Sequence, residues 1–223
     1  MNIESIQLIS LLGLGFMLGI KHALDADHIV AISTIASQTK NLKSSSLLGI
    51  SWGLGHTATL LLISLFVMLF KIKIPTTFAL TFEFIVGIML VVLGIQMLRK
   101  IFKEKIHIHA HKHDTDYHTH LHQHQISLSH NHAHKSFFIG TLHGLSGSAA
   151  LILLVLATVK SAFEGMLYVA IFGIGSIIGM TIVSTVIGIP FLLTKKFSSL
   201  ENSVKILAGS ASIITGGMII FHL

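Results

Sequence analysis

The sequence predicts an all-α integral membrane protein of six transmembrane helices, built as a 3+3 inverted repeat around a His-rich cytoplasmic loop. Three observations lead there. Hydrophobic residues make up 52% of the 223 residues and charged residues only 11%, where soluble domains carry about 25% charged residues; mean hydropathy is +0.81. Apolar stretches long enough to cross a bilayer, roughly 20 residues each, occur six times. Short motifs from the first half return in the second at a nearly constant offset. The chain has no cysteine, which excludes disulfides, thiolate metal sites and cysteine nucleophiles.

The expected spans are Ile6–Leu24 (with an apolar run continuing to Ala36), Leu47–Phe70, Phe78–Leu98, Phe137–Val159, Met166–Leu193 and Val204–Leu223. A run from residue 6 to 36 is too long for one straight span, so a break or a strong tilt is expected there. The N-terminal stretch does not read as a cleavable signal peptide. Glu4 stands where a basic segment should be, and the apolar run leads straight into ionisable residues.

Lys and Arg set the orientation. Loops after the first, third and fifth spans, with their flanks, hold eleven of these residues, from Lys40 to Lys205; the opposite side holds three, Lys71, Lys73 and Lys160, and Lys21 lies within a span. The rich side is expected to be cytoplasmic, which puts both termini outside and the long loop after the third span inside.

The repeat rests on three alignments. Phe16–Leu24 matches Phe137–Leu145 at offset 121, Trp52-Gly-Leu-Gly55 matches Phe172-Gly-Ile-Gly175 at 120, and Gly87 and Gly94 match Gly209 and Gly216 at 122. An odd number of spans per copy forces the second copy to be inverted, an arrangement that places a transporter's site near the repeat interface. The chain divides accordingly into a first repeat (1–102), a His-rich, disordered loop (103–135) and a second repeat (136–223).

The chemistry concentrates in His22-Ala-Leu-Asp25-Ala-Asp27-His28. A central Asp in a span costs about 2.5–3.5 kcal/mol on insertion scales, so two Asp and two His in seven residues imply a function. Imidazole nitrogen and carboxylate oxygen both bind divalent metal ions. On a regular helix His22, Asp25 and His28 share one stripe, whereas Asp27 points about 140° away from His22. The helix is therefore broken, or Asp27 faces another partner. His56, among glycines in the second span, reads as a further ligand or as a group orienting one. His143 is the repeat partner of His22. Asp25, Asp27 and His28 correspond to Ser146, Ser148 and Ala149 in the second copy, so one charged metal site is expected, with His22, Asp25, Asp27, His28, His56 and His143 as its residues and His143 the least critical. Glu83 reads as an interfacial carboxylate near the outer end of the third span, with a role in ion entry as the alternative. Between His107 and His134, eleven of 28 residues are His. Such a tract cannot form a packed core and chelates Ni²⁺, Cu²⁺, Co²⁺ or Zn²⁺, in a buffering or regulatory role.

His22-Ala-Leu-Asp25-Ala-Asp27-His28-Ile29 resembles the H-A-x-D-A-D-H-I signature of the nickel/cobalt transporter (NiCoT) family, and Gly55-His56-Thr57 resembles that family's Gly-His-Ser motif. The resemblance implies a membrane permease for Ni²⁺ and/or Co²⁺ in which His22, Asp25, Asp27, His28 and His56 select and carry the ion. Many members have eight spans, against six counted here. Residues Gly140–Ala150 resemble the shorter UreH-like relatives associated with nickel supply to urease, and the His-rich loop resembles that of related nickel/cobalt exporters.

The expected function is transport of Ni²⁺ and/or Co²⁺, as uptake into the cytoplasm. Export by the same fold is the first alternative, and a metal-handling membrane subunit of a larger complex the second. No Walker A and no H-E-x-x-H motif occurs, so neither ATP hydrolysis nor metalloenzyme activity is expected. The expected localisation is the plasma membrane, multi-pass. No cofactor is expected beyond the transported ion. Expected partners are divalent transition-metal ions and the lipid bilayer rather than nucleic acid, and assembly into a homo-oligomer is left open.

Overall fold

The computed structural model describes residues 3–71, 75–104, 110–113, 116–119, 134–146, 159 and 161–222. Helix α1 (Ile3–His22) is followed by α2 (Ala26–Ala36), α3 (Leu42–Phe70) and α4 (Thr76–Glu104). After a short antiparallel hairpin, β1 (Ala110–His113) and β2 (Asp116–Thr119), come α5 (134–146), α6 (Ala162–Thr194) and α7 (Ser198–Phe221). The hairpin pairs Ala110 with Thr119 and His113 with Asp116. It falls within the His-rich tract, whose other residues up to 133 lie outside the described ones.

Among the described residues, α3, α4, α6 and α7 are each long and apolar enough to cross a membrane, and α1 with α2 makes a fifth candidate span bent by 53°. The break expected between residues 6 and 36 is thus present, at Ala23–Asp25. Residues 137–146 of the expected Phe137–Val159 span lie in α5, which is not among the candidate spans; residues 147–158 lie outside the described ones. Large apolar side chains such as Leu62, Leu69, Ile182, Leu193 and Leu207 stand exposed on the outside of the bundle, the surface that lipid covers.

Two close helix pairs organise the bundle. Helices α3 and α6 run antiparallel: a Cβ on Gly53 would lie 2.7 Å from the Ile177 Cα, and Thr57 donates its hydroxyl to the Gly173 carbonyl. Helices α4 and α7 do the same through Gly94 against the Gly209 carbonyl, and Ser212 donates to the Leu90 carbonyl. Without a hydrophobic force between helices in lipid, such backbone approaches and hydroxyl bonds carry the association. Helix α1 lies along α6, and α5 along α3. A side chain on Gly55 would strike the Phe137 carbonyl, and one on Gly175 the Phe16 carbonyl.

The α1–α2 break has a local cause. Leu24 and Asp25 donate their N–H groups to Lys21 and His22 carbonyls, tightening the last turn of α1. Asp25 then takes an extended conformation as N-cap of α2, and Asp27 stands in the first turn, where a carboxylate suits the positive end of the helix dipole. Helix α2 continues toward the Lys/Arg-rich side. There Lys195 donates to the Thr39 carbonyl at 2.6 Å, tying the end of α6 to the α2–α3 connection.

Candidate metal centre

The break positions the cluster. His22 ends α1, Asp25 caps α2, Asp27 and His28 occupy its first turn, His56 lies halfway along α3, and His143 projects from α5. Four separate segments therefore deliver ionisable groups to one level of the bundle. A straight helix would have turned Asp27 away. The bend instead brings its two oxygens to His28 Nδ1 at 3.2 Å and to His143 Nε2 at 3.6 Å.

The rings form a continuous group. Ring centroids of His22 lie 4.6 Å from His28 and 5.1 Å from His56, and His28 lies 5.4 Å from His56 and 4.8 Å from His143. Two triads each bring one ligand atom per residue within 4.8 Å of the others: His22, His28 and His56, and Asp27, His28 and His143. His28 belongs to both. All six residues expected from the sequence are in this region, but Asp25 falls in neither triad. Its carboxylate is half exposed and lies 2.8 Å from His22 Nδ1, the position of a group that orients a ligand and leaves Nε2 free. Asp27 holds Nδ1 of His28 in the same way.

His28, His56 and His143 are essentially fully buried. Among the described residues, both ring nitrogens of His56 and Nε2 of His28 and His143 have no hydrogen-bond partner. An unsatisfied buried polar atom costs about 1–3 kcal/mol, and three such rings in one cluster, two of them against the Asp27 carboxylate, are an unusual concentration in a membrane interior. A divalent transition-metal ion matches this donor set: imidazole nitrogens accept it, and carboxylate charge offsets the loss of its water.

Trp52 and Phe172 were not singled out as site residues in the sequence, yet they wall the cluster. The Trp52 ring is 5.0 Å from His143 and the Phe172 ring 5.6 Å from His22. Their matching places in the Trp52–Gly55 and Phe172–Gly175 motifs were the available signal. A cavity of about 460 Å³ opens from the cluster and is lined further along by Glu83, Ser146, Thr215 and His222.

Bent, glycine-packed helices with apolar outer faces and a buried His/Asp cluster define a multi-pass membrane protein of the metal-ion transporter type. Residues 8–215 match the family model NicO, high-affinity nickel-transport protein, and the chain belongs to that family. It is similar to the urease accessory protein UreH of Bacillus sp. (strain TB-90), at 42% identity over 213 residues that cover 96% of this chain and 91% of that protein. No solved structure matches it significantly.

Proposed function

We propose that this protein takes up Ni²⁺ and/or Co²⁺ into the cytoplasm through the His22–His28 segment, His56 and His143. The observation that carries the reading is the pair of linked triads, His22, His28 and His56 and Asp27, His28 and His143, whose buried imidazoles keep nitrogens without a hydrogen-bond partner. The ion sheds water as it passes between the Asp27, His28 and His143 triad and the His22, His28 and His56 triad, of which all but His56 line the open cavity. His28 is common to both sets and lets the ion pass between them without regaining a full water shell. Asp25 and Asp27 keep the imidazoles oriented. No bond of the cargo is made or broken beyond its coordination, so the activity is transport and not catalysis.

An inside-negative potential of 100 mV favours entry of a dication by about 4.6 kcal/mol, twice the single-charge value. Uptake needs no other energy source. On the Lys/Arg-rich side of the cluster, Ile32, Ile35, Leu48, Met180 and Val183 are buried together. This closes the inner half while the opposite half is open, a state suited to loading from outside.

The six-span, 3+3 inverted architecture is part of the same proposal. Gly55 meets Phe137 and Gly175 meets Phe16, and these contacts interchange when each residue is replaced by its counterpart 120 or 121 positions away. Inverted repeats of this kind rock around a fixed central site. The test is ⁶³Ni²⁺ or ⁵⁷Co²⁺ uptake into proteoliposomes holding this chain alone, with an imposed potential and with or without a pH gradient. Uptake driven by the potential and lost in Asp27→Asn is the expected result. Transport only outward, only with a proton gradient, or undiminished in Asp27→Asn contradicts the proposal.

A further inference from the structure

The cavity does not end at the metal centre. Val86 and Ile219 pack against α2 beside the cluster. Glu83 is three residues beyond Val86 toward the outer end of α4, and His222 is three residues beyond Ile219 at the end of α7. One helical turn spans about 5.4 Å, so both residues stand about a turn farther out than the cluster's neighbours. Both line the same cavity as Asp25, His28 and His143. Glu83 is partly buried and His222 exposed. Among the described residues, neither side chain has a hydrogen bond or ion pair. At the other end of the cavity, Nε2 of His28 and of His143 are buried without a hydrogen-bond partner, the latter 3.6 Å from Asp27. The route therefore carries metal-binding groups at its mouth and at its floor.

We propose that Glu83 and His222 are the capture residues of this route, drawing a hydrated divalent transition-metal ion from the Lys/Arg-poor side and delivering it past Thr215 to Asp27, His28 and His143. This rests on the transport reading above and adds to it the place where the ion enters. A carboxylate at the mouth of a low-dielectric cleft raises the local cation concentration and the entry rate. An imidazole lining the same cavity gives transition metals a nitrogen ligand that Mg²⁺ and Ca²⁺ do not favour. Neither group sits in the deep cluster, so their loss should slow loading without changing how tightly the loaded ion is held.

The absence of native cysteine allows a direct test. Thr215→Cys should react with impermeant methanethiosulfonate reagents from outside intact cells, and Ni²⁺ should slow the reaction. The cationic reagent should outrun the anionic one. That preference should fall roughly threefold or more in Glu83→Gln and be retained in Glu83→Asp. In proteoliposomes, the Glu83→Gln/His222→Gln pair should raise the apparent KM for Ni²⁺ roughly three- to tenfold with maximal rate retained. Equilibrium ⁶³Ni²⁺ binding by the purified protein should be unchanged.

A Cys at 215 that is unreactive from outside while Thr76→Cys reacts overturns the route. Wild-type uptake at low Ni²⁺ by the double variant overturns the capture role, as does parallel loss of equilibrium binding. The metal-centre reading fails separately, by wild-type transport in Asp27→Asn, and the labelling results judge the route independently of that outcome.

Discussion

The Ser212 hydroxyl donates to the Leu90 carbonyl at 2.8 Å across 122 positions, the same offset that carries Gly87 onto Gly209 and Gly94 onto Gly216. Under the inverted-repeat reading these two residues are counterparts, and counterparts touch where a twofold axis passes between them. The neighbouring contacts follow suit: Gly94 meets Gly209, and Gly216 meets Gly87.

That relationship makes glycine substitutions a test of the architecture. Gly55→Ala and Gly175→Ala each push a methyl group into a backbone carbonyl, of Phe137 and Phe16 respectively. Overpacking of this kind costs about 1–3 kcal/mol. Thermal unfolding of detergent-solubilised protein should show similar losses for the two. Gly13→Ala and Gly217→Ala, which meet open space, should leave the transition within experimental scatter. Unequal effects of the first pair would count against equivalent packing in the two halves.

Substitutions in the cluster should form a graded series in ⁶³Ni²⁺ uptake. Asp27→Asn retains size but removes the charge between His28 and His143, so transport should be abolished in a protein that still inserts. Asp25→Asn removes a group that orients His22 and should cost about 10–100-fold in metal affinity. The sequence alone ranks His143→Ala as the mildest change. Its ring at 3.6 Å from Asp27 raises the expectation to the level of His28→Ala. A His143→Ala protein near wild type would remove that residue from the centre.

Orientation is checked by labelling. Ser199→Cys, exposed at the Lys/Arg-rich end of α7, should be protected from impermeant reagent in intact cells. Thr76→Cys, exposed at the opposite end of α4, should react. The reverse pattern would invert the topology and with it the assignment of the cavity to the outside.

Replacing residues 107–132 by a Gly/Ser segment should lower the number of metal ions bound per protein far more than it changes transport affinity. Metal binding by the intact tract should be lost as pH falls through about 6.5, since imidazole takes up a proton there and ceases to be a ligand. Isothermal titration and uptake on the same deletion check both points. Loss of high-affinity uptake in a correctly inserted deletion would place the tract in the permeation path.

Membrane class, the positions of most helices, an irregularity between residues 6 and 36 and the residues proposed to bind metal were all legible in the sequence. Those properties are local. Hydropathy over about 20 residues sets a span, and two Asp and two His within seven apolar-flanked positions are costly enough to mark a site. The 120- to 122-residue offset was also legible, because matching glycines survive in both halves. Which of these groups meet depends on how the helices pack. Spacing along a chain fixes a residue's height and its angle on its own helix, but not which face a distant helix turns toward it. The glycine contacts of α3 with α6 and α5 set those rotations. They bring His56 and His143 to His28, separate Asp25 from the ligand triads, and turn Glu83 and His222, more than 130 residues apart in sequence, into neighbours along one cavity. That juxtaposition depends on packing between helices, which no local pattern encodes.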